Sequence, residues 1–160
     1  MSDGELIRRA VTAVEIAQAR ALFEEYAASI GVDLCFQNFD EELATLPGAY
    51  APPGGTLLLA GSLDGPVGCV ALRPLRSGDR TAGEVKRLFV QSCARGSGLG
   101  RVLALRVIAD ARAIGYRELK LDTLPTMAAA RELYASLGFR ECEAYYRNPI
   151  GGTVYMKLAL

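Results

Sequence analysis

The sequence contains no histidine, and its four cysteines, Cys35, Cys69, Cys93 and Cys142, stand far apart with no C-x-x-C pair. These absences exclude a zinc site of ordinary spacing and any mechanism built on a histidine base. The cysteines read as small hydrophobes or surface thiols, and no metal is expected. No stretch reaches the roughly 20 consecutive apolar residues that cross a bilayer, and the opening MSDGELIRR lacks the apolar run of a secretion signal. A cytoplasmic protein without a membrane partner is expected. Net charge is absent too: 18 basic residues balance 18 acidic ones. No overall field therefore draws nucleic acid or anionic lipid, and the expected partner is a small molecule.

What is present is apolar matter in the amount of one domain, 51% of 160 residues, so residues 1–160 are read as a single domain with one core. Residues 5–11 read as a first strand. The segment that follows places Val14, Ala17, Ala21, Leu22 and Ile30 at helical spacing before Gly31 stops it. A weaker helix runs from Asn38 to Leu46, ended by Pro47 and Gly48, and Tyr50–Gly55 is a loop. TLLLAGS and VGCVALRP, joined by LDGP, read as a hairpin. After the turn LRSGDRT, GEVKRLFV is a fourth strand, Gly98–Ile114 a long helix and RELKLDTL a fifth strand. Pro125 and Thr126 open a further helix that Gly138 closes, and FRECEAYY and TVYMKLAL supply two last strands. The order predicts an α/β (α+β) fold, a mixed and mostly antiparallel sheet of about seven strands with helices on both faces.

The stretch ARGSGLGRVLALRV, Ala94–Val107, carries glycine at every second position and runs directly into the long helix. It fails the dinucleotide spacing G-x-G-x-x-G, because Arg101 and Leu103 stand where the last glycine is needed. It also fails the nucleoside-triphosphate pattern, which requires lysine and a hydroxyl after the last glycine. What remains is a strand, a bend and a helix start whose first N–H groups are unpaired, a place that favours anions by about 0.3–1 kcal/mol per charge. Arg95 and Arg101 flank it with countercharge.

RGSGLG, Arg95–Gly100, resembles the R/Q-x-x-G-x-G/A signature of the GNAT superfamily of N-acetyltransferases. GEVKRLFV before it and ARELYASLGF, Ala130–Phe139, are similar to that superfamily's preceding strand and later tyrosine-bearing helix. The likeness is close over residues 80–142 and loose over the whole chain. It implies an N-acetyltransferase that transfers the acetyl group of acetyl-CoA to an amine of a small molecule or protein by direct attack. A homodimer is compatible with it. The alternative is a non-catalytic acyl-CoA-binding or sensor module.

The resemblance also implies site residues. Arg95, Gly96, Ser97, Gly98, Leu99, Gly100 and Arg101 would cradle the pyrophosphate, and backbone groups of Leu88, Phe89 and Val90 would hold the pantetheine arm where strands four and five splay. Many members carry asparagine seven residues before the tyrosine. Here that place is Met127, with Thr123 or Thr126 as substitutes and Ala130 on the same helix face. The acceptor pocket would draw on Phe36, Phe39, Tyr50, Arg73, Tyr145, Tyr146 and Asn148, and since neighbours on a strand face opposite sides, at most one of Tyr145 and Tyr146 should line it.

The chemistry defines two further roles. An amine with a lysine-like pKa near 10.4 is neutral in about one molecule in a few thousand at pH 7, a handicap of roughly 4–5 kcal/mol. The departing thiolate needs less help. Tyr134 is the candidate acid by resemblance; Met127, Ala130, Tyr134 and Leu137 share one helix face, and the competing reading is a core tyrosine bonded to a carbonyl. Glu84 is the candidate base, because three charges in the first part of EVKRLFV violate the apolar pattern of a buried strand. The competing reading pairs Glu84 with Lys86 or Arg87 at an exposed strand start.

Overall fold

A computed structural model describes residues 7–75 and 81–160. Glu5 and Leu6 of the expected first strand, residues 76–80 of the expected turn and the side chain of Phe36 lie outside the described part. The elements in chain order are β1 (Ile7–Arg9), α1 (Ala13–Ile30), α2 (Phe39–Thr45), β2 (Thr56–Gly61), β3 (Pro66–Pro74), β4 (Ala82–Val90), α3 (Leu99–Ile114), β5 (Glu118–Thr123), α4 (Ala128–Ser136), β6 (Arg140–Cys142) and β7 (Val154–Ala159). Short 3-10 turns occupy Cys35–Gln37, Gly48–Tyr50 and Ser92–Ala94.

Helix α1 starts at a capping box, with Thr12 and Glu15 satisfying each other's backbone N–H, and stops at Gly31 with φ 64°. Its buried face is Ile16, Ala19, Leu22 and Phe23, and Val14 is 68% exposed. The expected face through Val14, Ala17 and Ala21 is therefore rotated. Apolar residues ring this helix, and burying Phe23 and Leu22 removes more area from water than burying the alanines.

The seven strands form one sheet in the order β1-β2-β3-β4-β5-β7-β6. Every pairing is antiparallel except β4 with β5. One face packs Leu58, Val70, Leu72, Leu119 and Leu121 against α3 and Tyr134 of α4. The other packs Leu57, Leu59, Cys69 and Ala71 against α1, with Phe39 of α2 joining. The mixed sheet with helices on both faces is thus as the element order predicts.

Two local features shape the site. The β4–β5 ladder runs only from Ala82–Glu118 to Glu84–Lys120, after which the two strands no longer pair with each other, while β4 stays paired with β3 and β5 with β7. Between the pairs Cys69–Phe89 and Ala71–Lys86, β3 advances two residues while β4 advances three. The extra residue makes a bulge, and Arg87 within this segment adopts φ 60°, a left-handed conformation uncommon outside glycine. The bend turns the end of β4 away from β5 and opens a V-shaped gap.

Two expected boundaries shift. The helix expected at Thr126 begins at Ala128. The strand expected through Tyr146 ends at Cys142, and residues 143–153 form bends and turns before β7.

Candidate active site

The glycine stretch stands at the open end of the V. Gly96 and Gly98 both adopt φ 81°, and a Cβ at either would meet no atom within 4 Å. Glycine is required there by conformation, since side-chain-bearing residues occupy this region at a cost, and not by crowding. Gly98 caps α3 without any side-chain hydrogen bond. Val102 N–H donates to the Gly98 carbonyl at 3.2 Å, so the N–H groups of Leu99, Gly100 and Arg101 have no carbonyl one turn back and point out of the helix start. Ser97 Oγ donates to the Ala94 carbonyl at 2.5 Å and Arg95 Nε to the Val90 carbonyl at 3.1 Å, which fixes the loop against the end of β4. Arg101 is tied instead to α4, donating from its terminal nitrogen to Ser136 Oγ at 2.9 Å. Of the two flanking arginines, Arg95 is the one bound to the end of β4, beside the glycine loop.

A cleft follows the V inward. Its walls are β4 from Val85 to Leu88, β5 at Asp122 and Thr123, α4 at Met127, Ala130 and Tyr134, and Tyr26 and Gln37 from the α1 side. The expected cofactor residues divide along it. Leu88, Thr123, Met127 and Ala130 line the cleft, Val90 packs near Gly100, and Phe89 turns to the opposite face, where its ring meets Tyr26 edge-on at 6.2 Å. Thr123 Oγ1 donates to the Val154 carbonyl at 3.4 Å.

Tyr134 is buried, with its ring edge-on to Phe139 at 5.4 Å. No described residue accepts from or donates to its hydroxyl, so the reading of a core tyrosine tied to a carbonyl is not what the structure contains. Burial pushes its pKa above the ordinary tyrosine value, so the phenol keeps its proton at neutral pH.

On the α1 side of the sheet a row of buried charges crosses three strands. Arg73 Nε donates to Glu84 Oε1 at 2.9 Å, Lys86 Nζ stands 3.9 Å from Glu84 Oε2, and Lys86 Nζ donates to Asp122 Oδ1 at 3.3 Å. The Lys86 and Asp122 side chains are 4% and 8% exposed. Burial lowers the Lys86 pKa, while the Lys86 charge and the Tyr146 hydroxyl outweigh burial at Asp122 and hold its carboxyl below its usual range.

Glu84 is not brought to the cleft wall. It is 3% exposed, and its oxygens accept from Arg73 and from the Tyr145 hydroxyl at 2.7 Å. The strand start is buried, not exposed, and the principal partner of Glu84 is Arg73, opposite it on β3. The carboxylate that faces the cleft is Asp122, which the sequence reading missed. Its signal was a lone acid at the end of ELKLDT, indistinguishable from a solvated charge.

Tyr145 and Tyr146 also differ from expectation. They lie in a bend, so strand alternation does not apply. Both rings sit over the charged row with centroids 5.4 Å apart, Tyr145 donating to Glu84 and Tyr146 donating to Asp122 Oδ2 at 2.5 Å. Asn148 Nδ2 donates to Tyr146 Oη at 3.0 Å and to Asp122 Oδ2 at 3.4 Å.

Arg87 is engaged throughout. Its Nε and one terminal nitrogen donate to the two Glu42 oxygens at 3.0 Å each, its other terminal nitrogen donates to Gln37 Oε1 at 2.8 Å, and the guanidinium stands 5.1 Å from the Phe39 ring centroid. Phe39 and Tyr50 are buried, and Tyr50 and Arg73 line a second cavity beside the cleft.

The profile of the Acetyltransferase (GNAT) family matches residues 16–139. Over 142 residues the chain is 42% identical to an uncharacterised N-acetyltransferase of Schizosaccharomyces pombe, with 88% of this chain and 86% of that one covered. A Streptococcus agalactiae acetyltransferase structure superposes with a TM-score of 0.77 at 21% identity, covering 96% of this chain and 97% of the other. A Salmonella typhimurium acetyltransferase, solved with its cofactor acetyl-CoA, superposes with a TM-score of 0.67 at 24% identity, covering 96% and 92%. At these identities the two structures speak for the fold.

Proposed function

The chain belongs to the GNAT family of acetyltransferases and is an N-acetyltransferase that takes acetyl-CoA as donor, and from that premise we propose that the acceptor amine is acetylated in the cleft between β4 and β5. The observation that carries this reading is the alignment of three parts along one gap: the outward N–H groups at Gly98, the unpaired edge of β4 through Leu88, and the unbonded hydroxyl of Tyr134. The donor supplies a thioester carbonyl and a thiol leaving group.

The residues divide the work. N–H groups of α3 and Arg95 hold the pyrophosphate, and the free edge of β4 receives the pantetheine arm as an added strand. Asp122, charged at neutral pH and fixed by Lys86, Tyr146 and Asn148, holds the incoming ammonium at the cleft wall. Once the amine has lost its first proton to water it attacks the carbonyl carbon, and the C–N bond forms as the C–S bond breaks. Tyr134 gives its proton to the departing sulfur. The acylated nitrogen then gives up its second proton to water, from which Tyr134 is reprotonated. Glu84 acts one step back as a positioning residue, holding Arg73, Lys86 and Tyr145 in register.

A panel of amines with acetyl-CoA, read by release of free CoA, tests this reading. Asp122→Asn should raise KM for the amine at least tenfold while the affinity for acetyl-CoA stays within twofold, since only the ammonium loses its counter-charge. Equal loss of both affinities would contradict the assignment of Asp122 to the acceptor.

A further inference from the structure

Two buried arginines on neighbouring strands are treated differently by the fold. Arg87, 4% exposed, spends its Nε and both terminal nitrogens on Glu42 and Gln37. Arg73, 8% exposed, spends only Nε, on Glu84. A guanidinium has five N–H donors, and the four on the terminal nitrogens of Arg73 meet no acceptor among the described residues. Arg73 borders a cavity of about 280 Å³ between α2 and β3. Tyr50 borders the same cavity, and its hydroxyl is buried with no hydrogen-bond partner. A flat fork of paired donors is the shape that takes a carboxylate through two parallel hydrogen bonds.

Two carboxylates also border the cavity and set a second requirement. Glu42 is neutralised by Arg87, whereas Glu41 is exposed. A bare anion would be repelled by Glu41; a ligand that also carries a cationic nitrogen would not. Gln37, which accepts from Arg87 and donates to Tyr146 Oη at 3.3 Å, is the wall shared by this cavity and the acetyl-transfer cleft, so a molecule seated on Arg73 needs to pass only this side chain to approach Asp122.

Resting on the acetyl-transfer reading of the cleft, we propose that the acceptor is an aminocarboxylate, its carboxylate seated on the terminal nitrogens of Arg73 and the hydroxyl of Tyr50, and its amine delivered to the cleft. The spacing between the two ends follows from the sheet. Arg73 stands on β3 and Asp122 on β5, two strand spacings apart or roughly 10 Å, so the amine is separated from the carboxylate by an extended chain.

The test pairs ω-aminocarboxylates of two to six carbons with alkylamines of the same length, using CoA release with saturating acetyl-CoA. For the longer members the carboxylate should raise kcat/KM ten- to hundredfold, the worth of a charge-assisted hydrogen-bonded pair. Arg73→Gln should bring that ratio to about one through KM, and Arg73→Lys, which keeps the charge without the fork, should restore part of it. A ratio near one in the unaltered protein overturns the proposal without any variant. So does a fall in kcat/KM with Arg73→Gln that is equal for aminocarboxylates and alkylamines. Release of CoA from no amine at all overturns the acetyl-transfer reading of the cleft, and this inference with it.

Discussion

The Tyr134 hydroxyl reaches the cleft with no partner among the described residues to hold it, and burial keeps it protonated. Tyr134→Phe should lower kcat by roughly a hundredfold, at the low end for a general acid because a thiolate leaves readily, with the acetyl-CoA dissociation constant unchanged. Stopped-turnover kinetics and calorimetry measure the two separately. The pH profile follows from the two shifts. Asp122 titrates below the usual carboxylate range and Tyr134 above the usual tyrosine range. Neither changes charge between pH 6 and 9, so with these two groups constant kcat/KM should rise there about tenfold per unit with the neutral fraction of the acceptor amine. An acidic limb that disappears in Glu84→Gln would return the base role to Glu84.

Asp122 makes a stability prediction too. Its folded pKa lies below the unfolded value near 3.9, so the stability it contributes is complete above that value and is lost as pH falls through the folded pKa. Asp122→Asn should flatten acid denaturation in that window. At neutral pH it should cost about 3 kcal/mol in denaturant unfolding, because Lys86 is left buried beside Glu84 at 3.9 Å as its nearest counter-charge. In the sequence, Tyr134 was legible because helical spacing and a familiar pattern both marked it. Asp122 was not, since its meaning comes from Lys86 and Tyr146, 36 and 24 residues away.

At the scale of elements, the bulge in β4 and the start of α3 decide what the cleft can hold. Gly98 has φ 81° with open space around it, so Gly98→Ala meets no clash but enters the left-handed region at a cost of about 1–2 kcal/mol. If the protein relieves that strain by unwinding the first turn of α3, acetyl-CoA affinity should fall by at least tenfold together with the melting temperature. A lower melting temperature with unaltered affinity would separate the helix start from cofactor binding. Element identity was readable from glycines and periodicity, as at Gly31. Two things were not. The face of α1 was misread because alanines surround it, and the strand expected at Tyr145–Tyr146 is a bend whose conformation is set by two hydroxyls bonding to carboxylates on other strands.

Across the whole molecule, the sheet is antiparallel except at one joint, and the cleft opens at that joint. The order of strands and helices made the mixed sheet readable from the sequence, whereas the charged row Arg73–Glu84–Lys86–Asp122 was not, because it joins three strands through long-range register. Acetyl-CoA at a hundred times its dissociation constant should stabilise the folded chain by about 2.7 kcal/mol, visible as a rise in melting temperature. The central claim is that the donor lies in the gap between β4 and β5, and calorimetric titration of acetyl-CoA into Ala130→Trp tests it most directly. Ala130 is half-buried on the cleft wall, and an indole there fills the channel while α4 keeps its packing through Tyr134 and Phe139. The account predicts at least a hundredfold loss of acetyl-CoA affinity in a chain whose circular dichroism is unaltered. Affinity equal to that of the unaltered protein would contradict it.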